Sequence, residues 1–282
     1  MASCLRAVCQ EEQNLSKLIR ARYGGGLLPP DVSENETIAT LLSHRSVRAY
    51  SSTAVPQAHL ELAIAAAQSA PTSNNFQAWS VVAIRDKERI RRVNEFAGKQ
   101  RHIANAPLFL VWLADLSRIE RISKHTGSPK VSLDYLESFI VGVVDTSLAA
   151  QNAVATFESL GLGICCIGGV RNHPEEIAQI LKLPKLVFPV MGMTVGYPDE
   201  SNDSTIKPRL PQDVILHSEE YSAERPEDLR RYDDLFRSYQ INHRSSVTGW
   251  TEVMAERVSK IENLTNRDKL RGALNNLGFE LK

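Results

Sequence analysis

The chain has 282 residues with 33 Lys plus Arg and 33 Asp plus Glu, so its formal charge is zero and no global field draws it to nucleic acid or an acidic membrane. Hydrophobic residues make up 43%, enough for a substantial core in one large domain or two small ones. Four cysteines without zinc-ligand spacing exclude a disulfide scaffold and a metal site, and no stretch approaches the ~20 apolar residues of a membrane span.

Residues 1–32 read as an N-terminal extension: a charged, helix-compatible piece (EEQNLSKLIRARY) followed by GGGLLPP, whose glycines and prolines interrupt regular structure. The opening MASCLRAVCQEEQNL lacks the apolar core of a signal peptide, so a cytoplasmic location is expected. Ser33 and Glu36 have capping-box spacing and start a predicted helix that runs into HRSVR. A second predicted helix, QAHLELAIAAAQSA, ends at Pro71.

Four apolar runs of strand length follow: WSVVAIR (79–85), PLFLVWLAD (107–115), GICCIGG (163–169) and VFPVMGMTVG (187–196). Helical patterns at DKERIRRVNEFAG and EEIAQILK separate them, which predicts an α+β or mixed α/β domain. Residues 134–161 have apolar side chains at spacings of three and four and small or apolar residues on the remaining faces. A helix of that kind has to be covered on more than one side. Beyond KPRLP (207–211) only polar helical stretches remain, expected to wrap the body or a second subunit.

Chemistry is concentrated in a few short segments. In HRSVR, the groups His44, Arg45, Ser46 and Arg48 form either a solvated basic run or an anion site whose guanidinium and hydroxyl donors match phosphate oxygens. KPR places Lys207 and Arg209 in an extended segment, because the residue before a proline avoids the helical region; it is either a solvated loop or a second cationic arm of the same site. APTSNNFQAW supplies Thr72, Ser73, Asn74, Asn75 and Gln77, a polar turn or a donor and acceptor set for a flat heterocycle. Gln100 could add a further amide. Gly168 and Gly169 end a strand, as a tight turn or as backbone open to a ligand. Cys165 and Cys166 read as packing residues.

Taken together, HRSVR, SAPTSNNFQAWSVVAI, AGKQRHIANAPLFLVWLAD, SLAAQNAVATFESLGLGICCIGGVRN and KPRLP resemble the FMN-dependent nitroreductase superfamily, in its oxygen-insensitive NADPH nitroreductase and FMN reductase branch. The resemblance covers about residues 36 to 250 in order. It implies an α+β, nitroreductase-like fold: a central, mostly antiparallel sheet flanked by helices in an intertwined homodimer. The implied organisation is an N-terminal extension (1–32), an FMN-binding core (33–211) and a helical C-terminal extension (212–282) wrapping the dimer.

Carried over by position, His44, Arg45, Ser46 and Arg48 match the family's first FMN motif, and the resemblance implies that Arg45 and Ser46, joined by Lys207 and Arg209, hold the FMN phosphate and ribityl chain. Arg48 is implied near N1 and the C2 carbonyl, where the reduced ring carries negative charge that a fixed guanidinium stabilises. Thr72, Ser73, Asn74 and Gln100 match ring-contacting positions, and Ile167, Gly168 and Gly169 would offer backbone N–H groups toward N5 and O4. The flavin, rather than a protein acid or base, carries the chemistry. NADPH-preferring relatives carry an arginine-rich stretch before a TW pair; here INHRSSVTGWTE keeps Arg244, so NADPH or NADH is the expected donor. Arg267 matches an arginine above the substrate pocket. The implied activity is an NAD(P)H oxidoreductase reducing nitroaromatics or quinones. The alternatives are a flavin reductase serving a partner monooxygenase and a non-catalytic FMN-binding protein.

Overall fold

The computed structural model describes residues 15–24, 35–199, 201–202, 204–244 and 246–282. They fall into two compact units. One joins the chain up to Arg45 with Ser204–Asn263; the other joins Ser46–Asp203 with Leu264–Lys282.

The larger unit is built on a four-stranded antiparallel sheet of order β1-β2-β4-β3, formed by β1 (Trp79–Ile84), β2 (Leu108–Asp115), β3 (Gly163–Ile167) and β4 (Val187–Gly196). All four expected strands are present. Every residue of β2 is buried, which explains its continuous apolar run: a central strand covered on both faces has no polar side to present. Its alternate residues serve two cores. Leu108, Leu110 and Trp112 face α3 (Gln57–Gln68) and α7 (Leu136–Ser159), whereas Phe109, Val111 and Leu113 face α4 (Lys87–Phe96), α5 (Arg101–Asn105) and α8 (Pro174–Leu181). The β2–β4 register slips by one residue between Trp112 and Leu113, opposite Met191 and Pro189. A proline, which cannot donate to the ladder, is tolerated at such a bulge.

Helix α7 is the long apolar segment of the sequence. Its buried face carries Gly142, Asp145, Thr146, Ala149, Ala153 and Phe157. Small residues let it lie close: a Cβ on Gly142 would stand 3.2 Å from Ala114 Cβ, and the Asn152 amide reaches Ala66 O of α3 at 2.9 Å. Helix α6 (Ser117–Thr126) is absent from the expectations, because its mostly polar sequence SRIERISKHT carries too narrow an apolar stripe. The C-terminal α12 (Leu270–Asn276) and the residues just after it pack Leu274, Leu277 and Phe279 into a third core with Phe188 and Leu116. Phe279 meets Phe139 edge-on at 5.2 Å.

The other unit contains α1 (residues 15–23), α2 (Glu36–Ser43), a short α9 (Gln212–Ile215), α10 (Pro226–Arg244) and α11 (Trp250–Val258). The cap of α2 is Asn35, whose side chain accepts the Ile38 N–H at 2.9 Å; the expected cap, Ser33, lies outside the described residues. The polar helical tail has a small aromatic core in which Tyr232 stands edge-on to Trp250 at 5.6 Å and beside Phe236 at 6.1 Å. Three aromatic side chains, two of them one turn apart on α10 and one at the start of α11, supply the area that aliphatic residues do not.

Candidate functional site

In the smaller unit, His44 and Arg45 come together with the KPR segment. Helix α2 gives way at His44, and the next residue, Arg45, donates from Nε to Ser204 Oγ at 3.0 Å. The 205–209 segment is fixed from α10, with Thr205 and Tyr239 sharing a hydroxyl pair at 2.9 Å and the Tyr232 hydroxyl donating to Pro208 O at 3.2 Å. Arg22 of α1 joins the two segments, donating to the carbonyls of Leu42, His44 and Lys207. Lys207 and Arg209 border a cavity of about 730 Å³ whose aromatic wall is Tyr23, Tyr232, Phe236 and Trp250. Arg45 and Arg209 are solvent-exposed and within reach of an anion.

In the larger unit, residues 46–50 lie along the sheet. Ser46 bridges Ile164 and the Val47 N–H donates to Ile164 O at 2.8 Å. Gly163 is required there: a Cβ would stand 2.5 Å from the Val47 side chain. Tyr50 anchors the far end, its hydroxyl 2.7 Å from Val47 O and 2.6 Å from Thr194 Oγ1; burial pushes its phenol far above the usual range. This brace leaves Arg48 exposed. Burial, and then the charge of Arg48, holds the His102 imidazole below its ordinary pKa, so it is neutral at neutral pH. Its Nε2 is buried without a hydrogen-bond partner among the described residues, a condition a folded protein seldom tolerates without a ligand or water to meet it. His102 is a candidate site residue that sequence reasoning missed.

The TSNN loop is held from α7. The Thr72 hydroxyl donates to Asp145 Oδ2 at 2.6 Å and accepts the Gln77 N–H at 2.8 Å. The N–H groups of Ser73 and Ala78 reach Asp145 oxygens at 3.3 and 3.0 Å. Asn74, Asn75 and Gln77 all have left-handed φ, which suits asparagine, and Ser73 and Asn74 are exposed at the tip. Asn75 and Gln77 border a cavity of about 450 Å³ together with Trp79 and Arg118.

At the end of β3, Ile167 is buried and Gly168 and Gly169 begin a 3-10 turn. The reason for glycine at 169 is a close backbone approach: a Cβ would stand 2.0 Å from Ala97 O. The same carbonyl accepts the Gln100 side-chain amide at 3.2 Å, so Gln100, Gly168 and Gly169 form one cluster. Arg267 joins it, donating from Nε to Asn172 Oδ1 at 2.8 Å, with Nη2 3.7 Å from the position a Gly168 Cβ would take. Arg171 lies closer still, at 3.2 Å; burial, then the neighbouring Arg267, lowers its pKa. Arg244 ends α10, and its side chain lies outside the described residues. Cys165 is buried as expected of a packing residue, whereas strand alternation leaves Cys166 exposed.

Two family models match in succession, Nitroreductase family over residues 41–197 and Nitroreductase family, C-terminal domain, over residues 207–282. The chain belongs to the nitroreductase family. Among the relatives of this nitroreductase is the FMN reductase [NAD(P)H] of Bacillus subtilis, 39% identical over 227 residues, covering 78% of this chain and 90% of the relative. The oxygen-insensitive NADPH nitroreductase of Salmonella typhimurium is 37% identical over 210 residues, covering 74% and 85%. The structure of B. megaterium NfrA2 superposes with a TM-score of 0.83 at 35% identity, covering 88% of this chain and all of that one. The resemblance read from the motifs and the antiparallel α+β fold are thereby both confirmed.

Proposed function

We propose that this nitroreductase takes hydride from NADH or NADPH and delivers reducing equivalents to nitroaromatics, quinones or similar small acceptors in a ping-pong cycle. It is an FMN-dependent NAD(P)H oxidoreductase. The relatives named as FMN reductase and NADPH nitroreductase support that activity and its cofactor. When bound, FMN supplies the centre that accepts and returns the hydride.

The observation that carries this reading is that each unit holds a donor set of its own kind. Arg45, Lys207 and Arg209, on two segments sharing Arg22 as an anchor, form the cation-rich set that a phosphate monoester requires. Arg48, beside a neutral His102 with an unsatisfied buried nitrogen, is the set that a polar ring edge would satisfy. Each set by itself fits one part of FMN, the phosphate or the ring edge. Arg48 stabilises negative charge on the ring, and the Asp145-braced loop and the Ala97 carbonyl cluster orient Thr72, Ser73, Asn74, Gln100 and the Gly168–Gly169 backbone. Arg267 and Arg244 are assigned to the nicotinamide and acceptor side.

The working form is a homodimer. In support, Leu136, Ile140, Val144 and Leu148 recur every four residues along α7 at 38–49% exposure, an apolar stripe that a second copy would cover. The helical C-terminal extension beginning at 212 embraces that second copy, residues 33–211 carry the FMN site, and the enzyme works in the cytoplasm.

The test is direct. Purified protein shows a flavin spectrum that bleaches anaerobically with NADH or NADPH and recovers with a quinone or nitroaromatic, and it elutes as a dimer. Colourless protein that takes up no FMN would refute the reading. Because a relative is named as an FMN reductase, free FMN belongs in the acceptor panel. Turnover with FMN exceeding turnover with quinones would favour a flavin reductase feeding a partner monooxygenase.

A further inference from the structure

Arg22 lies ahead of the family-matched segment, which begins at residue 41, in the part of the sequence that reads as an appendage. It is 5% exposed. Nη1 donates to Lys207 O at 3.0 Å, while Nη2 donates to Leu42 O at 3.1 Å and to His44 O. In return, the Arg22 carbonyl accepts the Arg209 N–H at 2.8 Å. One residue thus fastens the backbone on which Arg45 follows to the backbone of both KPR cations.

Two physical consequences follow. The first is geometric: a planar guanidinium offers five donors in a fixed fork, so three carbonyls held by it cannot drift apart independently. The second is electrostatic. Leu42 is in the last turn of α2 and His44 just beyond it, where carbonyls left without helical partners carry a partial negative charge that opposes an incoming anion. A buried guanidinium bound to those carbonyls cancels that field beside Arg45.

Helix α1 is itself secured. Leu15 is buried, Gly24 closes the helix with φ +77° and its N–H on Arg20 O at 2.8 Å, and a Cβ on Gly24 would stand 3.2 Å from the Leu235 side chain.

We propose that Arg22 is a positioning residue for the phosphate-binding cations Arg45, Lys207 and Arg209, which makes α1 a working part of the cofactor site. The proposal rests on the reading of those cations as the FMN phosphate site. The role assigned to Arg22 is exerted through main-chain carbonyls.

Binding of FMN and of riboflavin, which lacks the phosphate, separates this role from general support of the fold. Full-length apoprotein is titrated with each flavin, followed by quenching of flavin fluorescence, for the wild type and for Arg22→Met, Arg22→Lys and Arg45→Ala. Loss of charge-assisted hydrogen bonds predicts about tenfold weaker FMN binding in Arg22→Met, with riboflavin binding changed by less than about twofold. Arg22→Lys recovers only part, because an ammonium cannot span three carbonyls in one plane.

FMN affinity within about twofold of wild type in Arg22→Met, while Arg45→Ala loses about tenfold, overturns the proposal and spares the phosphate reading. Equal losses for FMN and riboflavin also overturn it. Should Arg22→Met not fold, Arg22→Lys decides by the same ratio. Wild-type protein that binds riboflavin as tightly as FMN sinks the phosphate reading, and this proposal with it.

Discussion

Asp145, on the buried face of α7, accepts the Thr72 hydroxyl at 2.6 Å with the oxygen that also takes the Ala78 N–H at 3.0 Å. A single carboxylate therefore closes both ends of the TSNNFQ loop onto a helix that packs across the sheet. Truncation in Asp145→Ala leaves a buried N–H and a hydroxyl without their acceptor, at a cost of about 1–3 kcal/mol. A fall of several degrees in Tm together with weakened FMN retention is expected by calorimetry and by flavin release. An unchanged Tm would mean that the loop is held by something else.

Three glycines should differ in a definite order on substitution by alanine. Gly169→Ala drives a methyl toward the fixed Ala97 carbonyl at 2.0 Å and should cost about 1–3 kcal/mol or more. At Gly168 the nearest atom, 3.2 Å away, is the end of the Arg171 side chain rather than backbone, so Gly168→Ala is the milder change. Gly272, inside α12 with nothing within 4 Å of its Cβ position, should gain up to about 1 kcal/mol as alanine. Chemical denaturation of the three variants checks the ranking.

Arg48 and Arg209 are expected to fail in different ways. Arg48→Ala should slow flavin reduction more than it weakens FMN retention, because charge on the reduced ring is greater than on the oxidised ring. Arg209→Ala should release FMN more than it slows reduction in the protein that stays loaded. Stopped-flow reduction of each loaded variant, alongside FMN dissociation, distinguishes them. Equal small effects on both would void the assigned roles.

His102 predicts a pH dependence of stability. Its folded-state pKa lies below the ordinary value because burial, then Arg48, disfavours the cation. Between that depressed pKa and about 6.5 the unfolded chain binds the extra proton, so stability falls as pH drops from about 6.5 and levels off below the folded pKa. The thermal stability of His102→Gln should fall less over that window than that of the wild type. Parallel curves would show that the imidazole titrates alike in both states.

Much of this protein is legible along the chain. The four strands announce themselves because a sheet covered on both faces needs uninterrupted apolar runs, of which LFLVWLAD is the plainest. HRSVR and KPR stand out because basic clusters in a neutral chain call for a local explanation, and their order with TSNN and IGG carries the family likeness. What the chain alone does not reveal are the residues that act on a distant backbone. Arg22 reads as one more charge in a polar tail, and its decisive partner is the carbonyl of Lys207, 185 positions away; main-chain oxygens leave no mark in sequence. Asp145 reads as one acid inside an apolar helix, and only the folding of the Thr72–Ala78 loop against α7 gives that carboxylate its three donors. Gly169 reads as a tight turn or as backbone open to a ligand, and the approach of Ala97 O adds a steric need for glycine that the sequence does not show. Sequence fixes which side chains are present and how each segment is patterned locally; hydrogen bonds to main chain and steric exclusion between remote segments come into being only when those segments are packed together.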